Sequence, residues 1–356
     1  MPSQVPQFVM FGSDDNPYAA GINWLVDTAF GGKTNPDGSP AQITFFITAG
    51  YGTDQNYGNP SVPGMFLPGS VNGAAAQMPQ DVVSAWKHAY AMGHQMGNHS
   101  WDHLPNHGGL TYTAAQWQAE IAPSQDFLTN QIGIPACELD TLRFPYLEFD
   151  DDGFTAYRQA GFLIDTSVEF GYNWWMPAGA PSSGYSPGGP DSGMHYWWPF
   201  TLDSGFPSDS NSGFDPTETK MVMAHPGMWV FFEHTFNAPD PSGDPMMPTV
   251  VHPVTGLDYN LWANAVTQHF DFCNTLKYSF VQKYKGNRAP FNVGIHSMYY
   301  SGDDPSFDMD FANTVDERRA GLQCFIDFLF SGQFPDVRVV GFHKVVEWLR
   351  NPTPIH

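Results

Sequence analysis

Short apolar runs alternate with segments of helical periodicity along most of the chain. The apolar runs, which are rich in β-branched and aromatic residues, predict strands at residues 7–11, 42–48, 162–165, 221–223, 229–232, 291–296 and 337–342. The periodic segments predict helices at residues 22–30, 81–92, 113–131, 152–159, 261–284, 315–330 and 344–350. Strands that alternate with helices indicate an α/β fold with a parallel sheet, either open or closed as a barrel.

One helix start has a clear local signature. Thr113 and Gln116 have the spacing of a capping box, which predicts that a helix begins there. Pro123 falls inside this helix and removes a backbone donor, so we expect a kink at that point.

Two long segments interrupt the alternation, at about residues 170–215 and 234–257. Gly, Pro, Ser and Trp are frequent in the first, and the second is similarly irregular. Long loops of this kind in a compact domain are often lids or rims of a binding site, although simple decoration of the fold is an equally good interpretation. We interpret residues 1–356 as one domain that carries these two loop insertions.

The composition excludes several classes of protein. The formal net charge of −22 argues against nucleic acid and anionic membranes as partners. No run is long and apolar enough to predict a membrane span. The three cysteines, Cys137, Cys273 and Cys324, allow at most one disulfide, whose pairing the sequence leaves open, and no C-x-x-C motif suggests a cysteine zinc site.

Polar residues with metal-binding chemistry follow two early segments. Asp14 and Asp15 end the first apolar run, and His99 and His103 are four residues apart. If that segment is helical, the two imidazoles lie on one face and can reach one cation. One Asp and two His leave a coordination position open and a second Asp beside it, as in metal-assisted hydrolases. Taken alone, the Asp pair could be a turn or a helix cap, and the two histidines could be ordinary surface residues.

Two later segments add candidate catalytic groups. Arg143 lies just before Pro145 and Tyr146. Its guanidinium could hold a carboxylate, and the backbone N–H of Tyr146 could face an oxyanion. An ordinary salt bridge and turn is the alternative. His296 closes an apolar strand and suits a general acid near neutral pH.

In this order, the segments resemble the motifs of the polysaccharide deacetylase family, the NodB-homology carbohydrate esterases of family 4. The matching segments are Ser13-Asp14-Asp15, His99-Ser100-Trp101-Asp102-His103, Arg143-Phe144-Pro145-Tyr146, Asp165-Thr166-Ser167 and Ile295-His296. Further segments are similar to insect chitin deacetylases, among them Gly32-Lys33-Thr34-Asn35-Pro36-Asp37-Gly38, Trp198-Pro199-Phe200-Thr201-Leu202-Asp203 and Trp348-Leu349-Arg350-Asn351-Pro352. The resemblance extends over nearly the whole chain.

The resemblance implies a distorted (β/α) barrel whose substrate groove lies at the strand ends, formed by a single catalytic domain. It also implies a role for each motif residue. Zn²⁺, or another divalent metal such as Co²⁺, is the expected cofactor. The implied roles are Asp14 as general base, Asp15, His99 and His103 as metal ligands, Arg143 as the group that orients Asp14, Tyr146 as an oxyanion donor through its backbone, His296 as general acid, and Asp165 as the residue that tunes His296.

The chain departs from the family pattern at several positions. Gly12 and Ser13 replace the usual Thr and Phe before the Asp pair, which changes the packing behind the base. Gly294 stands where Leu is common, which suggests a gap or a wider pocket for the acetyl methyl. The segment of Asp165 lacks the usual Asp-Trp ending. Aromatic residues suit sugar rings, and the candidates for substrate contact are Trp174, Trp175, Trp198 and Tyr299, with core packing as the alternative for each.

The expected function is removal of N-acetyl groups from N-acetylglucosamine units of chitin or chitooligosaccharides, with release of acetate. A deacetylase of peptidoglycan or acetylxylan and a non-catalytic glycan-binding homologue are the alternatives. We expect a monomer that acts outside the cytoplasm, secreted or periplasmic, because these glycans lie there. The segment before the first strand has no apolar signal sequence.

Overall fold

A computed structural model describes residues 4–52, 79–103, 106, 111–170, 196–205, 222–239, 251–254, 257–267 and 271–355. The strands are β1 (Gln7–Asp14), β2 (Thr44–Ile47), β3 (Gln95–Asn98), β4 (Thr141–Leu142), β5 (Ile164–Phe170), β6 (Phe200–Thr201), β7 (Trp229–His234), β8 (Phe236–Pro239), β9 (Val251–Val254), β10 (Phe291–His296) and β11 (Val337–Val339). The α-helices are α1 (Ala19–Asn23), α2 (Pro79–Ala91), α3 (Ala114–Phe127), α4 (Asp151–Gln159), α5 (Asp258–Thr267), α6 (Phe272–Lys285), α7 (Ser306–Asp310), α8 (Val315–Leu329) and α9 (Phe342–Arg350).

The main sheet is mostly parallel and is built around the first strand. Its order is β10-β1-β2-β3-β4-β5-β7-β6, and β11 also pairs with β1. All ladders are parallel except the one between β6 and β7. Parallel strands have helices over their faces and are buried on both sides, and β1 is buried at every position from Gln7 to Asp14.

The sheet curls until β7 and β10 meet without a ladder between them in the described part of the chain. The side-chain amide of Asn292 on β10 donates to the carbonyl of Phe232 at 3.4 Å and to Oε1 of Glu233 at 2.9 Å, both on β7. Side chains therefore close the seam that backbone hydrogen bonds leave open. The expected α/β fold with a distorted (β/α) barrel is confirmed.

Alternate residues of the strands face two different apolar cores. Val9 and Phe11 of β1 pack in the large core beneath the outer helices. Phe8 and Met10 face inwards and join a smaller core that includes residues of α9, namely Phe342, Val345 and Val346, together with Phe46, Ile164, Phe231 and Val340. The last helix thus fills the amino-terminal end of the barrel.

Several predicted elements need correction. The single helix expected at 261–284 is two helices, since Asp271 has an extended backbone and its side chain caps α6 by accepting from Asn274 N at 2.6 Å. Residues 222 and 223 of the strand expected at 221–223 are irregular. The strand expected at 337–342 ends at Val339, because Gly341 is the N-cap of α9.

The capping box at Thr113 is confirmed, and α3 continues through Pro123 into a π-helical stretch, Leu128–Ile132. A disulfide joins Cys273 in α6 to Cys324 in α8, and Cys137 is a free, exposed thiol. The segments at 170–215 and 234–257 lie mostly outside the described residues. Among the described helices, none is long and apolar enough to cross a membrane.

Candidate active site and metal centre

The candidate residues gather at the carboxyl ends of the parallel strands, where chemistry in such folds is found. Asp14 ends β1 and His296 ends β10, and the two are paired in the parallel register. His99 follows β3 directly, and Arg143 follows β4. The sheet order, rather than nearness in sequence, therefore brings the motifs together.

Asp15, His99 and His103 form a compact set of ligand atoms. Oδ1 of Asp15 lies 3.1 Å from Nε2 of His103 and 3.5 Å from Nε2 of His99. All three ligand atoms lie within 4.8 Å of one another, which is close enough for one cation. Carboxylate oxygen and imidazole nitrogen are the ligand types that zinc and similar divalent metals accept.

A left-handed turn, not a helix, brings the two histidines together. The backbone φ is 66° at Ser100 and 54° at His103, and Asp15 also has a positive φ of 63°. The helical face expected from the spacing of His99 and His103 is therefore wrong. Positive φ at non-glycine residues costs free energy and is concentrated at functional sites.

The protonation states of these residues suit a cation. Burial lowers the pKa of His99 to about 3 and also lowers that of His103. Burial opposes ionisation of Asp15, but His103 and His99 hold its pKa below the usual value. Nδ1 of His99 lies 2.8 Å from the carbonyl oxygen of Arg143, so Nδ1 carries the proton and Nε2 keeps its lone pair. The residues present therefore fit a divalent metal.

Asp14 is buried beside this set and is held by Arg143. Nη1 of Arg143 donates to Oδ1 of Asp14 at 2.9 Å. Burial raises the pKa of Asp14 to about 6, although Arg143 and His296 oppose this. A carboxylate with such a pKa is ionised at neutral pH and is still basic enough to accept a proton.

His296 pairs with a residue that the sequence analysis did not single out. Nδ1 of His296 lies 2.7 Å from Oδ1 of Asp258, and the backbone N–H of His296 donates to the other oxygen at 3.0 Å. Burial lowers the pKa of His296, but Asp258 outweighs it and raises that pKa to about 9. The imidazole is thus protonated at neutral pH and able to donate from Nε2.

Asp165 does not contact His296, so the expectation that it tunes the acid is wrong. Its Oδ1 accepts from the hydroxyl of Ser167 at 2.8 Å, and that hydroxyl oxygen accepts from Phe144 N at 2.7 Å. Burial raises the pKa of Asp165 to about 7. Asp165 therefore supports the loop that follows β4.

Tyr146 lies at the site in a left-handed turn with a φ of 56°. Its ring centroid is 4.5 Å from that of His103. The oxyanion role expected of its backbone N–H stays a prediction.

The predicted aromatic contacts have different outcomes. Tyr299 is buried, with its ring 4.8 Å from that of His296 and packed on Phe307 and Phe311. Trp198 stacks on Trp348 and donates to the carbonyl of Asn287. Because Trp348 packs on Phe8 near the start of β1, the substrate contact expected of Trp198 is contradicted. Trp174 and Trp175 lie outside the described residues.

The gap expected at Gly294 is filled. A Cβ built at Gly294 would lie 2.2 Å from Cδ2 of Leu257, so the leucine side chain occupies the space. Leu257 forms an isolated parallel bridge with Gly294, just before α5 begins at Asp258.

Two functional candidates escaped the sequence analysis. Asp258 lies outside the single long helix that was predicted from residue 261, so the sequence analysis did not consider it. Its position as an acidic residue four positions before Trp262 could have drawn attention to it. Glu233 contacts Arg143 and ends the apolar run of β7 at Trp229-Val230-Phe231-Phe232. That is the same signal that drew attention to Asp14 and His296.

The comparison with known families decides the resemblance. Residues 39–164 match the family model described as "Polysaccharide deacetylase". This stretch of the chain is similar to the polysaccharide deacetylases. The resemblance expected from the motifs is therefore confirmed. The matched stretch contains His99, His103, Arg143 and Tyr146, whereas Asp14, Asp15, Asp165 and His296 lie outside it.

Known proteins similar to this chain come from several organisms. Chitin deacetylase 8 of Bombyx mori is 22% identical over 351 residues, covering 98% of this chain and 72% of that protein. A solved structure from Mycobacterium smegmatis, assigned to the polysaccharide deacetylases, has 12% identity and a TM-score of 0.49, covering 97% of this chain and 91% of the other. A family 4 acetyl xylan esterase from Clostridium thermocellum has 16% identity and a TM-score of 0.30, covering 48% and 62%.

Proposed function

We propose that this protein is a metal-dependent N-deacetylase of N-acetylglucosamine units in chitin or chitooligosaccharides. The observation that carries the proposal is one site in which Asp15, His99 and His103 fit a metal, Asp14 is paired with Arg143, and His296 is paired with Asp258. The relation to Bombyx mori chitin deacetylase 8 over almost the whole chain favours chitin among the possible glycans.

The mechanism assigns one task to each group. Asp15, His99 and His103 would hold a divalent cation, which would supply Lewis acidity and lower the pKa of bound water from about 15.7 to about 7. Asp14 accepts the proton of the attacking water. The Tyr146 backbone N–H donates to the oxyanion that develops on the acetamide carbonyl.

His296 completes the reaction by protonating the leaving nitrogen, so that acetate and a glucosamine unit depart. Its ion pair with Asp258 keeps the imidazole protonated at neutral pH, since Asp258 raises the pKa of His296 to about 9. Arg143 holds the oxygen of Asp14 that it contacts, and this orients the other oxygen towards the water.

The test is acetate release from chitin oligomers, acetylxylan and peptidoglycan, each with a chelator and with added Zn²⁺ or Co²⁺. We expect the highest kcat/KM on chitin oligomers, and we expect no acetate release from any substrate after chelation. Higher activity on acetylxylan or peptidoglycan would show that chitin is not the preferred substrate, while the proposed deacetylation chemistry would still hold. Binding of chitin oligomers without any acetate release would favour a non-catalytic glycan-binding protein.

We also propose that residues 1–356 act as one catalytic domain, as a monomer outside the cytoplasm. The disulfide between Cys273 and Cys324 supports this location, because disulfides persist in oxidising compartments. Size-exclusion chromatography with light scattering tests the oligomeric state.

A further inference from the structure

Arg143 is shared between two buried carboxylates, and only one of them is the proposed base. Nη1 donates to Asp14, Nη2 donates to Glu233, and Nε donates to Thr166 at its carbonyl and hydroxyl oxygens, at 3.2 and 3.0 Å. Arg143 and Glu233 are both fully buried, so water does not compete for these contacts.

An arginine beside a single carboxylate commonly forms two parallel hydrogen bonds, one to each oxygen. Here the second arm of the fork is occupied by Glu233, so the contact between Arg143 and Asp14 uses one nitrogen and one oxygen. The Oδ2 atom of Asp14 is left outside this ion pair. An oxygen engaged by Arg143 would be a poorer proton acceptor for water than one outside the pair.

Glu233 is itself held in place across the barrel seam. Its Oε1 accepts from the Asn292 amide at 2.9 Å as well as from Arg143. Asn292 lies on β10, the strand that ends in His296, while Glu233 lies on β7. The seam contact therefore fixes the arginine fork relative to both proposed proton-transfer groups.

The guanidinium has little room to rotate. A Cβ built at Gly12 would lie 3.0 Å from both Nη atoms of Arg143, and the ring centroid of Phe46 is 4.5 Å from the guanidinium carbon. A Cβ at Gly294 would lie 3.4 Å from Nη1 and 3.5 Å from Oε1 of Glu233. The two glycines, paired across β1 and β10, leave the space that the ion pairs fill.

We propose that Glu233 is a positioning residue for the proposed deacetylation: it occupies one arm of Arg143 and so keeps Oδ2 of Asp14 available to accept a proton from water. This rests on the proposed function. Glu233 acts through Arg143 and touches neither substrate nor metal ligand in this account.

The test uses Glu233→Met, which keeps the length of the side chain without its carboxylate, and Glu233→Gln, whose amide oxygen can still accept from Arg143. In metal-loaded protein, we expect Glu233→Met to lower kcat by about tenfold to a hundredfold, the size of effect that misplaced catalytic groups produce, with KM unchanged. Glu233→Gln should recover most of the lost rate, because it restores the acceptor.

Glu169 offers the matched control. It is buried on β5 and is in register with Glu233 on β7, but it makes no hydrogen bond or ion pair with Arg143 in the described part of the chain. Glu169→Met should keep kcat, whatever its effect on stability. Equal loss of kcat in the Glu169→Met and Glu233→Met variants would overturn the proposal, since it would reveal a general effect of removing a buried acid.

Crystal structures of the wild-type protein and of Glu233→Met provide a readout that does not depend on activity. We expect the fork of Arg143 to contact both oxygens of Asp14 in the variant. An unchanged single contact would overturn the proposal even if no glycan were deacetylated. If Glu233→Met does not fold, a folded and metal-loaded Glu233→Gln with kcat as low as that of an Arg143→Ala variant would overturn it as well. Failure of the wild-type protein to release acetate from any glycan would instead refute the proposed function.

Discussion

The two ends of the same parallel strands differ in the polar contacts at their centre. At the amino-terminal end, a group of neutral side chains surrounds Gln95, which accepts from the hydroxyl of Thr44 at 2.9 Å and donates to that of Thr141 at 2.6 Å. The backbone N–H of His343 at the start of α9 also donates to Gln95. Gly341 allows this close approach, because a Cβ there would lie 2.4 Å from the Gln95 oxygen.

The carboxyl-terminal end collects ionisable groups and unusual backbone. Asp14, Arg143 and Glu233 are buried together, and the surrounding turns hold non-glycine residues with positive φ. Each such residue costs on the order of 1–3 kcal/mol. The residues concerned are Asp15, Asn16, Ser100, His103, Tyr146 and Leu147.

In this fold, the residues proposed to act in catalysis and the contacts around Gln95 that stabilise the barrel lie at opposite ends of the strands. The hydrogen bonds around Gln95 and the packing of α9 stabilise the barrel, while the opposite end holds the strained turns and the buried charges. Substitutions at the carboxyl-terminal end should therefore change metal binding and rate, whereas substitutions at the amino-terminal end should change the free energy of unfolding.

The largest expected effect is the loss of the metal. His103→Ala removes one of three ligand atoms, so we expect zinc affinity to fall by at least about a hundredfold and acetate release to be lost. Zinc content after dialysis and isothermal titration calorimetry measure this. His343→Ala at the amino-terminal end is the control and should bind zinc like the wild-type protein; a similar loss in both variants would break the comparison.

The next effect separates catalysis from metal binding. Asp14→Asn keeps an oxygen for Arg143 but cannot accept a proton, so kcat should fall by about a hundredfold to ten-thousandfold. Zinc stoichiometry should stay unchanged. Steady-state kinetics of the zinc-loaded variant tests this, and acetate release at the wild-type rate would show that Asp14 is not the base.

The pH dependence should sharpen the role of Asp258. His296 must be protonated to donate, so activity should rise as Asp14 ionises near pH 6 and fall as His296 loses its proton near pH 9. Asp258→Asn removes the charge that raises the pKa of His296, so the alkaline limb of kcat/KM should move to lower pH. The exposed Asp310→Asn variant is the control, and an alkaline limb unmoved in Asp258→Asn would contradict the assignment.

The smallest expected effect on rate is at the amino-terminal end. Gln95→Ala leaves the hydroxyl of Thr44 without its acceptor and removes the amide that donates to Thr141, so we expect the free energy of unfolding to fall by about 1–3 kcal/mol. The kcat of the folded, zinc-loaded variant should not change. Urea denaturation with the exposed Gln118→Ala as control tests this, and a loss of kcat without a loss of stability would contradict the division between the two ends.

The sequence motifs predicted the site better than they predicted its supports. Asp14, Asp15, His99, His103, Arg143 and His296 each lie in a short motif with chemically meaningful neighbours, and the structure places them together. Asp258 and Glu233 act through partners distant in sequence, such as Asn292, and a local pattern cannot reveal those pairings.

Strand prediction failed where side chains other than apolar ones stabilise the sheet. β3 has the sequence Gln95-Met96-Gly97-Asn98, which lacks the β-branched and aromatic residues that indicate a strand. Gln95 is satisfied by Thr44 and Thr141 on the neighbouring strands, and only the folded sheet brings those hydroxyls near. The break at Asp271 was missed for a related reason, because helical periodicity continues on both sides of the cap.

The pairing of β1 with two strands from much later in the chain has a kinetic consequence. β1 is synthesised before its partners β10 and β11, and Ser297 N, which donates to the Ser13 hydroxyl, is 284 residues away. Closing so long a loop costs conformational entropy before the contacts form, and this cost slows folding. On the ribosome, Asp14 therefore meets His296 only after all the residues between them have been synthesised.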